Sequence, residues 1–146
     1  MIEWIDASGE VIEQPIVDIL NTMLRDHDTQ TQVNVVVTSD DHIQQLNRDY
    51  RQLDRPTDVL SFELLDDTAP ESDCLGEIYI SSETAQNQAL EAGRDLQTEV
   101  SHLAIHGMLH LLGYEHETDG GYERMRAQED RYLERCRPLS PNSRKV

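Results

Sequence analysis

Lysine is almost absent from this chain: of its 12 basic residues, 11 are arginine and only Lys145 is lysine. Against them stand 29 acidic residues, for a formal net charge of −17. So few cations argue against ordinary nucleic-acid binding, in which lysine and arginine must neutralise phosphates. Excess carboxylate with scarce lysine fits a protein kept soluble in a salty cytoplasm; an acidic protein of an ordinary cell fits it equally. Cysteine is scarce too. Cys74 and Cys136 lie far apart and form no C-x-x-C pair, so two free thiols in a reducing cytosol are expected rather than a disulfide. No apolar run is long enough to span a bilayer. The start of the chain, Met-Ile-Glu-Trp-Ile-Asp, has neither the basic nor the apolar region of a signal peptide. A cytoplasmic protein without membrane contact is expected.

What is present suits one domain with one core: 146 residues, 37% apolar and 28% charged. No repeat and no low-complexity tract occurs. Residues 2–6 read as a short strand. Pro15 opens a helix in which Ile16, Ile19, Leu20 and Met23 share a face. The β-branched run Val33-Asn34-Val35-Val36-Val37 is a strand. Ser39 or Asp40 caps a helix with Ile43, Leu46 and Tyr50 facing inward. Residues 59–62 and 76–80 read as strands, separated by a polar loop over 64–74. A helix capped by Ser81 or Ser82 ends near Gly93. The main helix spans 96–112 with an apolar stripe of Val100, Leu103, Ala104, Gly107, Met108 and Leu111, and Gly113 stops it. A last amphipathic helix spans 119–135. The expectation is a single α/β (α+β) domain over 1–137, with a mixed sheet of about four strands, about five helices and a disordered tail over 138–146.

The chemistry concentrates at the end of the long central helix, in His106-Gly-Met-Leu-His110-Leu-Leu-Gly113-Tyr-Glu-His116. Residues four apart on a helix lie one turn apart on the same side, so His106 and His110 can address one ion. Gly113 lets the chain turn back and bring His116 as a third ligand. Three protein nitrogens leave a fourth position open, the arrangement of catalytic zinc sites. One Zn2+ per chain is expected, although nickel or copper suits the same nitrogens. His102, one turn before His106, is read as supporting or structural rather than as a fourth ligand. His27 and His42 have no partner pattern and are read as surface residues. The spacing H-x-x-x-H-x-x-G-x-x-H is also that of the metzincin peptidases, whose general base is a glutamate directly after the first histidine. Here Gly107 stands in that place, and glycine cannot take a proton. Glu115 or Glu117 would have to replace it from the turn.

The segment Leu103 to His116 resembles the signature of the YbeY-type endoribonucleases. Asn47-Arg-Asp-Tyr-Arg51 followed by Pro56-Thr-Asp-Val-Leu-Ser-Phe62 resembles that family's second motif, and Leu75-Gly-Glu-Ile-Tyr-Ile-Ser81 its third. The motifs occur in the family's order, although Glu63 stands where the family usually has proline. The resemblance implies a single-strand-specific, metal-dependent endoribonuclease of the cytoplasm. It further implies action on the 16S rRNA precursor at its 3′ end and in quality control of ribosomes, with the ribosome or its small subunit as partner. It also implies a functional Arg51. The residues support that role independently: Arg48, Arg51 and Arg55 are three of the four arginines in the first half of the chain, and a guanidinium matches phosphate oxygens bidentately. Pairing with Asp49, Asp54 and Asp58 is the competing role for Arg48 and Arg55.

The chemistry implied is metal-assisted phosphodiester cleavage, with Arg51 stabilising charge on phosphate. Attack by water and attack by the RNA 2′-hydroxyl stay equally open, and no general base stands out. Two other classes compete: a zinc peptidase or other hydrolase, and a non-catalytic ribosome-assembly factor with a structural metal.

Overall fold

Three alternating valines set the centre of the sheet. In β2 (Gln32–Thr38), Val33, Val35 and Val37 are buried and the residues between them half-buried, the pattern of a strand with one face on a core. The computed structural model describes residues 1–6, 9–29, 31–63, 74–115 and 117–136, without the side chains of residues 74 and 75. Four strands form one sheet in the order β1-β2-β4-β3. β1 (Ile2–Asp6) and β4 (Cys74–Ser81) flank β2 in parallel, and β3 (Val59–Glu63) closes the edge antiparallel to β4. The register sets Trp4, Val35, Ile78 and Ser61 in one row across the sheet.

Parallel neighbours need crossover elements, and helices supply them. α1 (Glu13–Asp26) buries Ile16, Ile19, Leu20, Met23 and Leu24. Pro15 is its third residue rather than its first. α2 (Asp40–Arg51) starts at Ser39, whose hydroxyl accepts the His42 N–H at 3.2 Å. α3 (Ser82–Ala92) is capped by Ser81, which accepts the Thr84 N–H at 3.1 Å, and stops at Gly93. α4 (Leu96–Leu111) is capped by Asp95, which accepts the Thr98 N–H at 2.7 Å. α5 (Asp119–Cys136) then packs back across α4 and α1. Among the described residues, the mixed four-stranded sheet and five helices are the architecture expected from the residue pattern.

Two expectations need correction. Tyr50 does not face inward: it is 71% exposed, with its ring set edge-on to Phe62. Asn47 takes the inner position instead, because its amide donates to the Arg55 carbonyl at 2.9 Å and closes the chain back on α2. His27 is not a free surface residue. It is half-buried, with Nδ1 on the Met23 carbonyl at 2.8 Å and Nε2 on the Tyr114 hydroxyl at 3.2 Å. Cys136 is a buried free thiol beside the Pro15 carbonyl. The polar loop over 64–73 and the tail over 138–146 lie outside the described residues. Among the described residues, no helix is long and apolar enough to cross a membrane.

Candidate metal centre and cleft

α4 is enclosed by α1, α3, α5, β3 and β4. From Glu99 to Leu111 every residue is buried except His102, His106 and His110. The apolar stripe is therefore wider than helical periodicity suggests, since Ile105 and Leu109 are buried as well. What remains of the helix surface is one row of imidazoles at four-residue steps. Position 107 is the counterpart of that row. A Cβ there would lie 2.8 Å from Ile78 Cγ2 and 3.0 Å from Ser61 Oγ, so glycine is what lets α4 seat on β3 and β4. Position 107 faces the sheet and not the imidazoles, which takes away the site of a metzincin-type base along with the residue.

His106 Nε2 and His110 Nε2 lie 3.1 Å apart, with the ring planes at 79°. Two nitrogens bound to one tetrahedral zinc lie about 3.3–3.4 Å from each other. The donor pair thus fits a single ion with little movement. Beyond His110 the helix ends in a Schellman turn. Gly113 N–H donates to the His110 carbonyl at 3.1 Å and Tyr114 N–H to that of Leu109 at 3.0 Å. Gly113 has φ +100°, which only glycine adopts without strain. The Tyr114 hydroxyl on His27 ties this turn to α1. His116, the expected third ligand two residues on, lies outside the described residues.

Behind His106 stands Glu129 of α5. One of its carboxylate oxygens accepts a hydrogen bond from His106 Nδ1, and the other pairs with His102 Nε2 at 3.2 Å. Burial by itself would raise the Glu129 carboxyl, but the hydrogen bonds it accepts from His102 and His106 outweigh it and hold the group at about 2. On the far side of His102, Arg94 Nη2 donates to Nδ1 at 3.4 Å and to the buried Glu99 at 2.6 Å. No pattern along the chain pointed to Glu129, because its partners are set by how α5 docks.

The third expected group enters from the other half of the molecule. Arg51 closes α2, and Gln52 after it takes a left-handed conformation with φ +60°. The Arg51 guanidinium donates to the Ser61 carbonyl at 3.0 Å and lies over the Phe62 ring at 5.7 Å. The Ser61 hydroxyl in turn donates to the Gly107 carbonyl at 3.1 Å. One residue of β3 thus joins Arg51 to α4. A cleft of about 640 Å³ opens there, lined by Arg51, Asp58, Ser61, His106, His110 and Glu117 among others. Arg48 and Arg55 do not line it. Arg48 faces Asp49 at 3.9 Å and Asp54 at 3.6 Å, and Arg55 is exposed. A second cleft of about 500 Å³ between α4 and α5 shares His106 and Asp58 with the first. Asp58 and Ser61 sit in the motif that carries Arg51, and that motif is the signal by which both were within reach of sequence reasoning.

Fold and cleft together define a small α+β protein with a paired-histidine site beside an arginine. The family model for endoribonuclease YbeY matches residues 3–137. Among similar proteins is the endoribonuclease YbeY of Heliobacterium modesticaldum, 44% identical over 113 residues, covering 70% of this chain and 68% of the relative. That of Clostridioides difficile is 39% identical over 135 residues and covers 88% of each. The solution structure of a Thermotoga maritima protein superposes with a TM-score of 0.68 at 31% identity, covering 93% of this chain and 89% of that one. This chain belongs to the endoribonuclease YbeY family, and so to the enzymes rather than to the purely structural proteins.

Proposed function

We propose that this chain is a zinc-dependent, single-strand-specific endoribonuclease of the cytoplasm that acts in 16S rRNA 3′-end maturation and ribosome quality control, on the ribosome or its small subunit. The observation that carries the reading is the meeting of two facing imidazole nitrogens and an arginine in one cleft. His106, His110 and His116 would hold the zinc, one ion per chain. When bound, that ion supplies Lewis-acid charge for a phosphodiester.

The chain's own residues do the rest. Arg51 spends one N–H on the Ser61 carbonyl and keeps the others for phosphate oxygens, where charge develops during cleavage. Asp58 and Glu117 line the same cleft; Asp58 already accepts from Gln88 and Thr57. Glu117 is therefore the better group to take a proton from the attacking water or 2′-hydroxyl. Arg48 and Arg55 stand further out, where they would meet only flanking phosphates.

Neither rival gains support. A peptidase base has no room at position 107, so that rival would have to borrow Glu117 from the turn. A closed structural site using His102 is disfavoured because both of its ring nitrogens are engaged by Arg94 and Glu129. The test is cleavage of unstructured and duplex RNA, beside casein, by wild type and by Arg51→Ala and His110→Ala, with zinc and with chelator. Cutting of single strands that needs zinc and both residues is the expected result. Zinc-dependent casein cleavage without RNA cleavage would refute the reading.

A further inference from the structure

We propose that Glu129 is a positioning residue for the metal centre: it holds His106 in the one tautomer that can ligate through Nε2, and Arg94 and His102 hold Glu129 in turn. The inference rests on the zinc reading above.

The assignment follows from which groups can donate. Arg94 has only donors. It approaches His102 Nδ1 at 3.4 Å, so that nitrogen accepts and the His102 proton sits on Nε2, pointing at Glu129 at 3.2 Å. The other Glu129 oxygen faces His106 Nδ1. A carboxylate only accepts, so the His106 proton sits on Nδ1 and its lone pair on Nε2. That lone pair is aimed at His110 Nε2, 3.1 Å away, where an ion would bind. Glu129 itself is not a ligand, because it occupies the opposite nitrogen of the ring. The chain of donors is anchored at Glu99, whose side chain is 8% exposed and accepts from Arg94 at 2.6 Å. Carboxylates behind ligating histidines fix ring orientation and raise ligand basicity.

A carboxylate that merely docked α5 onto α4 would leave the same hydrogen bonds, so the test must separate docking from positioning. Zinc affinity is measured by competition with a chromophoric chelator, and cobalt(II) loading is followed by its visible bands. The variants are Glu129→Ala, Glu129→Gln and Met125→Ala, the last trimming a buried apolar side chain of α5 that shares the α4–α5 cleft but offers no hydrogen bond to an imidazole. Glu129→Ala is expected to weaken zinc binding by about 10–100-fold and to shift the cobalt bands. Glu129→Gln, whose amide oxygen still accepts from Nδ1, should lie between it and wild type. Met125→Ala should lower the melting temperature of the metal-free protein and leave zinc affinity unchanged. Equal losses in Met125→Ala and Glu129→Ala would reduce Glu129 to a docking residue and overturn the proposal. So would wild-type affinity and cobalt bands in Glu129→Ala or, if that form fails to fold, in the closer-sized Glu129→Leu, neither of which can accept from Nδ1. A wild type that takes up no zinc would overturn the metal reading and this inference together.

Discussion

The two halves of the cleft are built on opposite terms. The histidines stand on a helix buried on every other side, and His106 is backed by a carboxylate that is itself held from behind. Arg51 stands on an exposed helix end, held by one backbone carbonyl and the face of one ring. An ion needs fixed nitrogens, since a small error in geometry loses a ligand. A phosphate in a flexible strand is better met by a long side chain that can adjust, and the guanidinium keeps its fork as it moves. The difference also predicts where damage spreads. A change in the histidine half should reach metal and fold together, and a change in the arginine half should reach catalysis alone.

The largest effect tests the first half of that statement. His110→Ala should bring zinc content close to zero and RNA cleavage to background, and a chelator should do the same to wild type. Elemental analysis and a single-strand cleavage assay read both. Full zinc content in the variant would mean that the ion sits elsewhere. Acid should release the metal from wild type, because imidazoles must be neutral to ligate.

Arg51→Ala sharpens the comparison from the other side. Cleavage should fall by about 10²–10³-fold, the usual effect of removing one group that stabilises transition-state charge. Zinc content and melting temperature should stay close to wild type. Arg51→Lys should also be poor, because an ammonium cannot make the bidentate contact. A variant that loses its metal would show that the halves are coupled through Ser61.

Gly107→Ala probes the joint between them. The added methyl meets Ile78 and Ser61, and overpacking of this kind typically costs about 1–3 kcal/mol. Chemical denaturation should show the loss, with zinc uptake near wild type in the protein that stays folded. An unchanged midpoint would mean that α4 can lift off the sheet without strain.

How much of this was readable from the chain divides along similar lines. Val33, Val35 and Val37 announce β2 because alternation is a local property, and the caps Ser39 and Ser81 lie one residue from the helices they start. The His106/His110 pair was readable because helical spacing alone puts both on one side. Glu129 was not. α5 carries Asp119, Glu123, Glu129, Asp130 and Glu134, and only docking decides which of them meets an imidazole. Tyr50 was misread for the same reason. Periodicity offers it the inner face, but the return of the chain at Arg55 gives that face to Asn47. The sheet order, with β4 between β2 and β3, depends on pairings far apart in sequence that no window sees.

The smallest expected effect concerns salt, and it separates the two halves once more. With a net charge of −17, surface carboxylates repel one another, and screening over a Debye length of roughly 10 Å at 0.1 M relieves this. The melting temperature should therefore rise from low salt to molar potassium chloride. Zinc affinity should hardly move, because the ligands are uncharged and His106 and Glu129 are largely shielded from solvent. RNA binding through exposed Arg51 should weaken over the same range, as counterions compete for phosphate. Stabilisation and weakened binding oppose each other, so cleavage should peak at higher salt than for a basic nuclease. Melting curves, zinc competition and initial cleavage rates across one potassium chloride series measure all three. A flat or falling melting temperature would remove the saline explanation of the charge. The deficit of cations would then stand as a direct objection to an RNA substrate, and the peptidase reading would regain the weight that position 107 took from it.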